Sequence, residues 1–146
     1  MLTIIRSGNI FNSNAQMLVN PVNCVGVMGK GLALDFKIRY PRMFVSYKAL
    51  CRSHALKPGE PCLFFSCDDT PDILLFPTKD DWRNPSRLEW IDKGLQWFAS
   101  NYSAHDIKSV AFPLLGCGNG GLPRSVVKQM MIEDLGRLPI PVELYI

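Results

Sequence analysis

The sequence predicts an α/β fold of three layers, α/β/α, with a central mixed, largely parallel sheet and helices on both faces. Short apolar runs alternate with stretches of helical spacing along the chain. Several of these runs are continuously apolar, as strands covered on both faces must be. Two glycine-rich turns each follow such a run and precede a helix, at the strand ends where open α/β sheets bind ligands.

Leu2–Arg6 reads as a short strand, followed by the turn Ser7-Gly8-Asn9. Ala15–Val22 is a buried strand ending in Asn20, Pro21 and Asn23, because proline at a strand end stops the ladder. Gly29–His54 has helical spacing through Leu32, Phe36, Phe44, Tyr47 and Leu50, and Pro41 divides it into two helices. Lys57-Pro58-Gly59-Glu60 is a turn. Cys62–Ser66 and Ile73–Phe76, joined by Asp68-Asp69-Thr70-Pro71-Asp72, predict a hairpin. Ser86–Tyr102 predicts an amphipathic helix with Leu88, Ile91, Leu95 and Phe98 on one face, and with Ser86 and Glu89 as a capping box. Val110–Leu115 is a buried strand, and Gly116–Gly121 a turn. A last helix starts at Pro123 and runs to about Leu138, and Val142–Ile146 is a final strand.

The 146 residues suit one domain, 1–146, with a substantial core. A composition of 47% hydrophobic and 20% charged residues excludes a disordered chain. The net charge of +3 implies no nucleic acid by itself. However, Lys30 to Lys57 holds seven Lys/Arg and one acid, Asp35. That stretch reads equally as a phosphate-attracting face and as a solvated helix surface. No apolar run approaches the ~18 residues of a membrane span, and Met1–Arg6 is too short for a signal peptide. The five cysteines lack close pairing and any C-x-x-C, which points to a reducing cytoplasm and to neither disulfides nor zinc. No metal is implied.

The strongest chemical signal is Pro113-Leu114-Leu115-Gly116-Cys117-Gly118-Asn119-Gly120-Gly121, with four glycines in its last six residues. Such a loop turns tightly and presents several N–H groups at a helix start, where the dipole favours an anion. A simple tight turn needs only one or two glycines. Gly26-Val27-Met28-Gly29-Lys30-Gly31 is a second such turn, and it fits neither a Walker A loop nor G-x-G-x-x-G. Asn20 and Asn23 need partners for their amides, either a ribose hydroxyl or a loop backbone. Lys79 falls at a strand end. His54 and His105 read as surface residues.

Together these pieces resemble the macrodomain family from Ile5 to Tyr145. The resemblance is carried by Gly8-Asn9-Ile10, by Asn20 to Asn23, by the Gly-x-Gly-x-Ala of Gly29 to Ala33, and by the Pro113–Gly121 loop. Within it, VNPVNCVGVMGKGLALDFKIRYP and FPTKDDWRNPSRLEWIDKGL look most like the DarG-type branch, which removes ADP-ribose from thymidine bases in DNA. The resemblance implies a three-layer macrodomain hydrolase with ADP-ribose as ligand and product and no cofactor. It makes Lys79 the leading catalytic residue, as nucleophile toward C1″ of the distal ribose or as a cation steadying ribose or leaving base. Asn23 would orient that ribose. Gly29, Lys30 and Gly31, beside Val27, Met28 and Leu32, would bind one part of the diphosphate. Gly116, Cys117, Gly118, Asn119, Gly120 and Gly121, with Pro113 and Leu115, would bind the other. Gly8, Asn9 and Ile10 would border the adenine, and Asn20 would also serve the ligand.

Asn9 stands where many macrodomains have an adenine-binding aspartate. Asn119 marks a loop without the acid that protein-directed relatives use. Trp82 and Arg83 are placed to touch nucleic acid, by stacking and by phosphate contact, with packing as the alternative for Trp82. The implied partners are single-stranded DNA modified on thymidine and a cognate DNA ADP-ribosyltransferase toxin, and a monomer is expected. A non-catalytic ADP-ribose reader, or an esterase on O-acetyl-ADP-ribose or ADP-ribosylated carboxylates, are the alternatives.

Overall fold

A computed structural model describes residues 1–146. The elements in chain order are β1 (Leu2–Ile5), a 3₁₀ turn at Ile10–Asn12, β2 (Met17–Val22), α1 (Gly31–Arg39), α2 (Pro41–Arg52), β3 (Cys62–Phe64) and β4 (Asp72–Pro77). They continue with α3 (Leu88–Asn101), β5 (Val110–Pro113), α4 (Arg124–Gly136) and β6 (Val142–Tyr145). The six strands form one sheet in the order β1-β6-β5-β2-β4-β3. Every neighbouring pair is parallel except β3 and β4, the predicted hairpin.

Side chains alternate between two cores, as the pleat requires. Met17, Val19, Leu74, Phe76, Val110 and Phe112 pack with Ile91, Leu95 and Phe98 of α3 and with Val127, Met131 and Leu135 of α4. Leu18, Ile73, Leu75 and Ala111 pack on the opposite face with Phe36 of α1 and with Met43, Tyr47 and Cys51 of α2. These are the three predicted layers. Gly94 lets α3 lie close on the sheet, since a Cβ there would sit 2.2 Å from Cζ of Phe76.

Pro41 opens α2 at its first turn, and Tyr40 (φ −130°, ψ 71°) is the break between the two helices. The capping box at Ser86 does not form. Helix α3 starts at Leu88 behind Arg87, and no side chain caps it. Ser86 is instead tied to the β5–α4 loop, where its N–H donates to Gly120 O at 3.0 Å. The ends of α4 also differ from expectation. Pro123 (φ −62°, ψ 123°) stays extended ahead of Arg124, and the helix stops at Gly136, two residues short of Leu138.

Candidate active site

The C-terminal ends of β2, β4 and β5 open into a cavity of about 520 Å³. It is lined by the β2–α1 loop (Asn23, Val27, Gly29, Lys30, Gly31), by Leu32 and Ala33 of α1, by Thr78, Lys79 and Trp82 after β4, and by the β5–α4 loop (Gly116, Gly118, Asn119, Gly120). Pro21, Val22, Pro113 and Leu114 complete the wall. Two of the lining residues are cationic, Lys30 and Lys79, and none is acidic. The space therefore favours an anion.

The backbone strengthens that preference. Within Gly116–Gly121 no N–H finds an acceptor in the domain, while Leu122 N–H closes the turn onto Gly116 O at 2.9 Å. The N–H groups of Met28, Gly29, Lys30 and Gly31 are also without acceptors, and Gly31 begins α1. A partly buried row of free N–H groups at a helix start is an anion cradle. Gly120 has to be glycine, because a Cβ there would lie 2.4 Å from both Gly116 O and Ser86 Oγ. Gly116 (φ 72°) and Gly121 (φ 77°) take the left-handed backbone that the turn requires.

Lys79 bridges two elements. Its ammonium donates to Asn119 O at 2.7 Å and to Trp82 O at 3.3 Å. Burial, then the neighbouring Lys30 charge, holds the Lys79 ammonium below the usual lysine range. Nearby thiols are shifted toward their protonated form. Cys24 is pushed up to about 12, chiefly by burial, and burial raises Cys117 as well.

Asn23 is held from several sides. Its Oδ1 accepts from Val25 N–H (3.1 Å), Val27 N–H (3.4 Å) and Tyr47 O–H (2.6 Å), while its Nδ2 donates to Val27 O (2.7 Å). Two backbone donors facing one atom fix that atom as oxygen. The Tyr47 hydroxyl also reaches Asn23 O at 2.9 Å. One amide hydrogen of Asn23 is left over for a ligand.

The structure thus gathers Asn23, Val27, Gly29, Lys30, Gly31, Leu32, Lys79, Trp82, Pro113, Gly116, Gly118, Asn119 and Gly120 around one cavity. It sets others apart. Asn20 is fully buried and its Nδ2 faces Met28 Sδ (3.9 Å) and Met43 Sδ (3.7 Å), because position 20 of the strand points into the α1–α2 layer. It does not line the cavity, and its Oδ1 has no partner. Gly8, Asn9 and Ile10 lie outside the lining. Asn9 Oδ1 accepts from Phe11 N–H at 2.9 Å, which caps the 3₁₀ turn, and Ile10 is buried in the core. Met28 and Leu115 are core residues, and Cys117 and Gly121 flank the cavity rather than line it.

Arg83 lies outside the lining, paired with Asp81 at 3.2 Å, with its guanidinium 4.7 Å from the Trp82 ring centroid. Trp82 itself is 46% exposed at the cavity wall. Sequence reading missed Thr78, Leu114, Pro21, Val22 and Ala33 on the wall, and Tyr47 and Ser86 beneath it. Tyr47 carried only a core signal, since its spacing is that of a buried helix face.

Fold and site together define an α/β module with an anion-favouring cavity, in which glycine loops at the C-terminal strand ends face a lysine. The family model of the Macro domain matches residues 19–131, and the chain belongs to that family. A curated relative from Thermosipho africanus, named a DNA ADP-ribosyl transferase–DNA ADP-ribosyl glycohydrolase fusion protein, is 40% identical over 156 residues, covering 95% of this chain and 40% of its own length. The solved macrodomain of Mycobacterium tuberculosis DarG is 40% identical with a TM-score of 0.94, covering 99% of this chain and 97% of that one. Thermosipho africanus DarTG, solved in complex with ADP-ribose, is 40% identical with a TM-score of 0.92, covering 99% of this chain and 41% of that one. The chain spans about two fifths of the length of the curated glycohydrolases it matches.

Proposed function

We propose that this domain is a hydrolase that removes ADP-ribose from thymidine bases in DNA. The observation that carries the reading is Lys79, placed on the wall of an acid-free cavity between two loops with unoccupied backbone N–H groups. The relatives named DNA ADP-ribosyl glycohydrolases support the chemistry, and the DarTG complex supports the ligand. In this reading the β2–α1 and β5–α4 loops hold the diphosphate, each charge-assisted hydrogen bond contributing roughly 1.5–3 kcal/mol. The free amide hydrogen of Asn23 orients the distal ribose, and Trp82 stacks on the base. ADP-ribose is ligand and product, and no cofactor takes part.

Two roles are open to Lys79. As a nucleophile, its free amine bonds to C1″ while the C1″–N bond to the base breaks and the base departs with the proton the amine gives up; water then displaces the amine at C1″, releasing ADP-ribose and restoring the amine. As a cation, it stabilises charge on the ribose or departing base. Its two carbonyl acceptors favour the ammonium in the free domain.

The modified base arises from a DNA ADP-ribosyltransferase, the activity that the Thermosipho africanus relative carries in the same chain. We infer such a toxin as the functional partner, a cytoplasmic setting and a monomeric domain. No helix is long and apolar enough to cross a membrane.

The test is incubation with single-stranded DNA carrying ADP-ribose on thymidine, beside Lys79→Ala. The expected result is release of free ADP-ribose by the wild type alone, with ADP-ribose affinity retained in the variant. Tight ADP-ribose binding without release would make the domain a reader. Release from ester-linked substrates alone would make it an esterase.

A further inference from the structure

We propose that the outward face of α1 and α2 is the track on which the substrate DNA strand lies, gripped through its phosphodiester backbone. The proposal rests on the DNA-directed reading above. The seven cations from Lys30 to Lys57 are all exposed, six of them on α1, on α2 or at the cap of α1, and Lys57 in the turn beyond. None is in an ion pair, since the four in the domain are Arg83–Asp81, Arg87–Glu89, Lys93–Glu60 and Lys108–Asp106. A merely solvated helix surface usually interleaves acids with its bases at i,i+4. Within the two helices Asp35 is the single acid, and Asp68 of the β3–β4 loop neighbours Arg42 at the end far from Lys30.

The cations are arranged. On α2, Arg42, Val45, Ala49 and Arg52 follow at helical spacing on the exposed side, with Lys48 beside them. Lys37 of α1 holds its ammonium 4.5 Å from the Phe44 ring centroid, and Lys48 holds its own 5.9 Å from the same ring. Arg39 sits 4.3 Å over Phe11. Aromatic rings thus position these charges where no carboxylate does. Two ammonium groups sharing one ring repel each other, and a phosphate drawn to both offsets that repulsion. Ile38 (70% exposed) and Val45 (69% exposed) give the same face apolar contacts for sugar and base.

The face is continuous with the cavity. Lys30 lines the cavity at the start of α1, and the helix carries the surface about 13 Å away to Arg39. The Lys48 stem packs on the first loop, its Cγ 3.8 Å from where a Cβ on Gly26 would lie. A strand whose modified base enters the cavity therefore meets cations as it leaves.

The variant is Lys37→Gln with Lys48→Gln, both exposed and neither lining the cavity. One assay measures binding of an unmodified fluorescent oligothymidylate against salt. We expect about tenfold weaker binding and a salt slope smaller by about 1.4, from about 0.7 per single-strand phosphate contact. The other compares hydrolysis of a modified oligonucleotide with that of the isolated ADP-ribosyl-thymidine nucleoside. We expect KM for the oligonucleotide to rise about tenfold and nucleoside turnover to stay unchanged. Unaltered oligonucleotide binding, unaltered oligonucleotide KM, or equal loss on both substrates overturns the track. If the wild type hydrolyses neither substrate, the DNA-directed reading fails separately. The binding assay then decides the surface alone, sustaining it if the variant loses salt-dependent binding and overturning it if not.

Discussion

Lys79 can be given a sign. Burial and Lys30 both disfavour its charged form, so its pKa lies below the ordinary lysine range. A nucleophilic amine must be deprotonated, so its rate climbs as pH rises through that pKa. A cationic role gives the opposite limb, falling through the same pKa. Lys30→Gln removes one of the two depressing influences, so the Lys79 pKa rises and the limb moves to higher pH in either case. A pH–kcat profile of wild type and Lys30→Gln therefore reads the role from the limb's direction, and a limb that stays put is not that of Lys79. Tyr47 is the other informative side chain. Tyr47→Phe removes the O–H donor to Asn23 O and Oδ1 from a fully buried position. We expect about 1–3 kcal/mol less stability in urea unfolding, and weaker ADP-ribose binding by calorimetry as the Asn23 loop loosens. The expectation that Lys79 is catalytic comes only through the family pattern, because a lone lysine at a strand end is usually a surface residue; the structure adds its place on the cavity wall. Tyr47 was not legible at all, since a core tyrosine and a positioning tyrosine have the same spacing.

Among elements, the order and type of strands and helices were legible because the central strands are continuous apolar runs buried on both faces, while α2 and α3 keep an apolar stripe at helical spacing. What failed was local hydrogen bonding at element ends. Ser86 fitted a capping box by spacing, but the β5–α4 loop captures its backbone, and its hydroxyl is buried without a partner. Ser86→Ala should therefore leave stability within about 0.5 kcal/mol or raise it, where loss of a working cap would cost about 1 kcal/mol. Urea unfolding separates the two. The loop above Ser86 gives a sharper contrast. Alanine at Gly120 meets Gly116 O and Ser86 Oγ at 2.4 Å, while at Gly118 it meets nothing within 4 Å. Gly120→Ala should cost about 1–3 kcal/mol and lose ADP-ribose binding, and Gly118→Ala should keep the stability of the wild type. Equal unfolding midpoints for the two variants would refute the packing argument.

At the scale of the molecule, the site follows from topology. Strands β2 and β5 are neighbours, yet β2 leads to α1 on one face and β5 leads to α4 on the other. Their loops part at the switch point where open parallel sheets leave a crevice. Gly31 and Asn119 stay close across it, since a Cβ on Gly31 would lie 3.2 Å from Asn119 Nδ2. A diphosphate held by both loops therefore ties the two helical layers together, and binding should stabilise the whole domain. At a concentration one hundred times Kd the gain is about 2.7 kcal/mol, or roughly 5–10 °C in Tm for a chain of this size. Calorimetric melts of three proteins test the account. Wild type and Lys79→Ala should both show the rise if, as proposed, the loop backbones and not the lysine hold the diphosphate. Gly120→Ala should show little, because its second loop cannot close. A Lys79→Ala protein that failed to gain stability would show that the lysine holds the ligand, and would move the diphosphate's anchor from the backbone to that side chain.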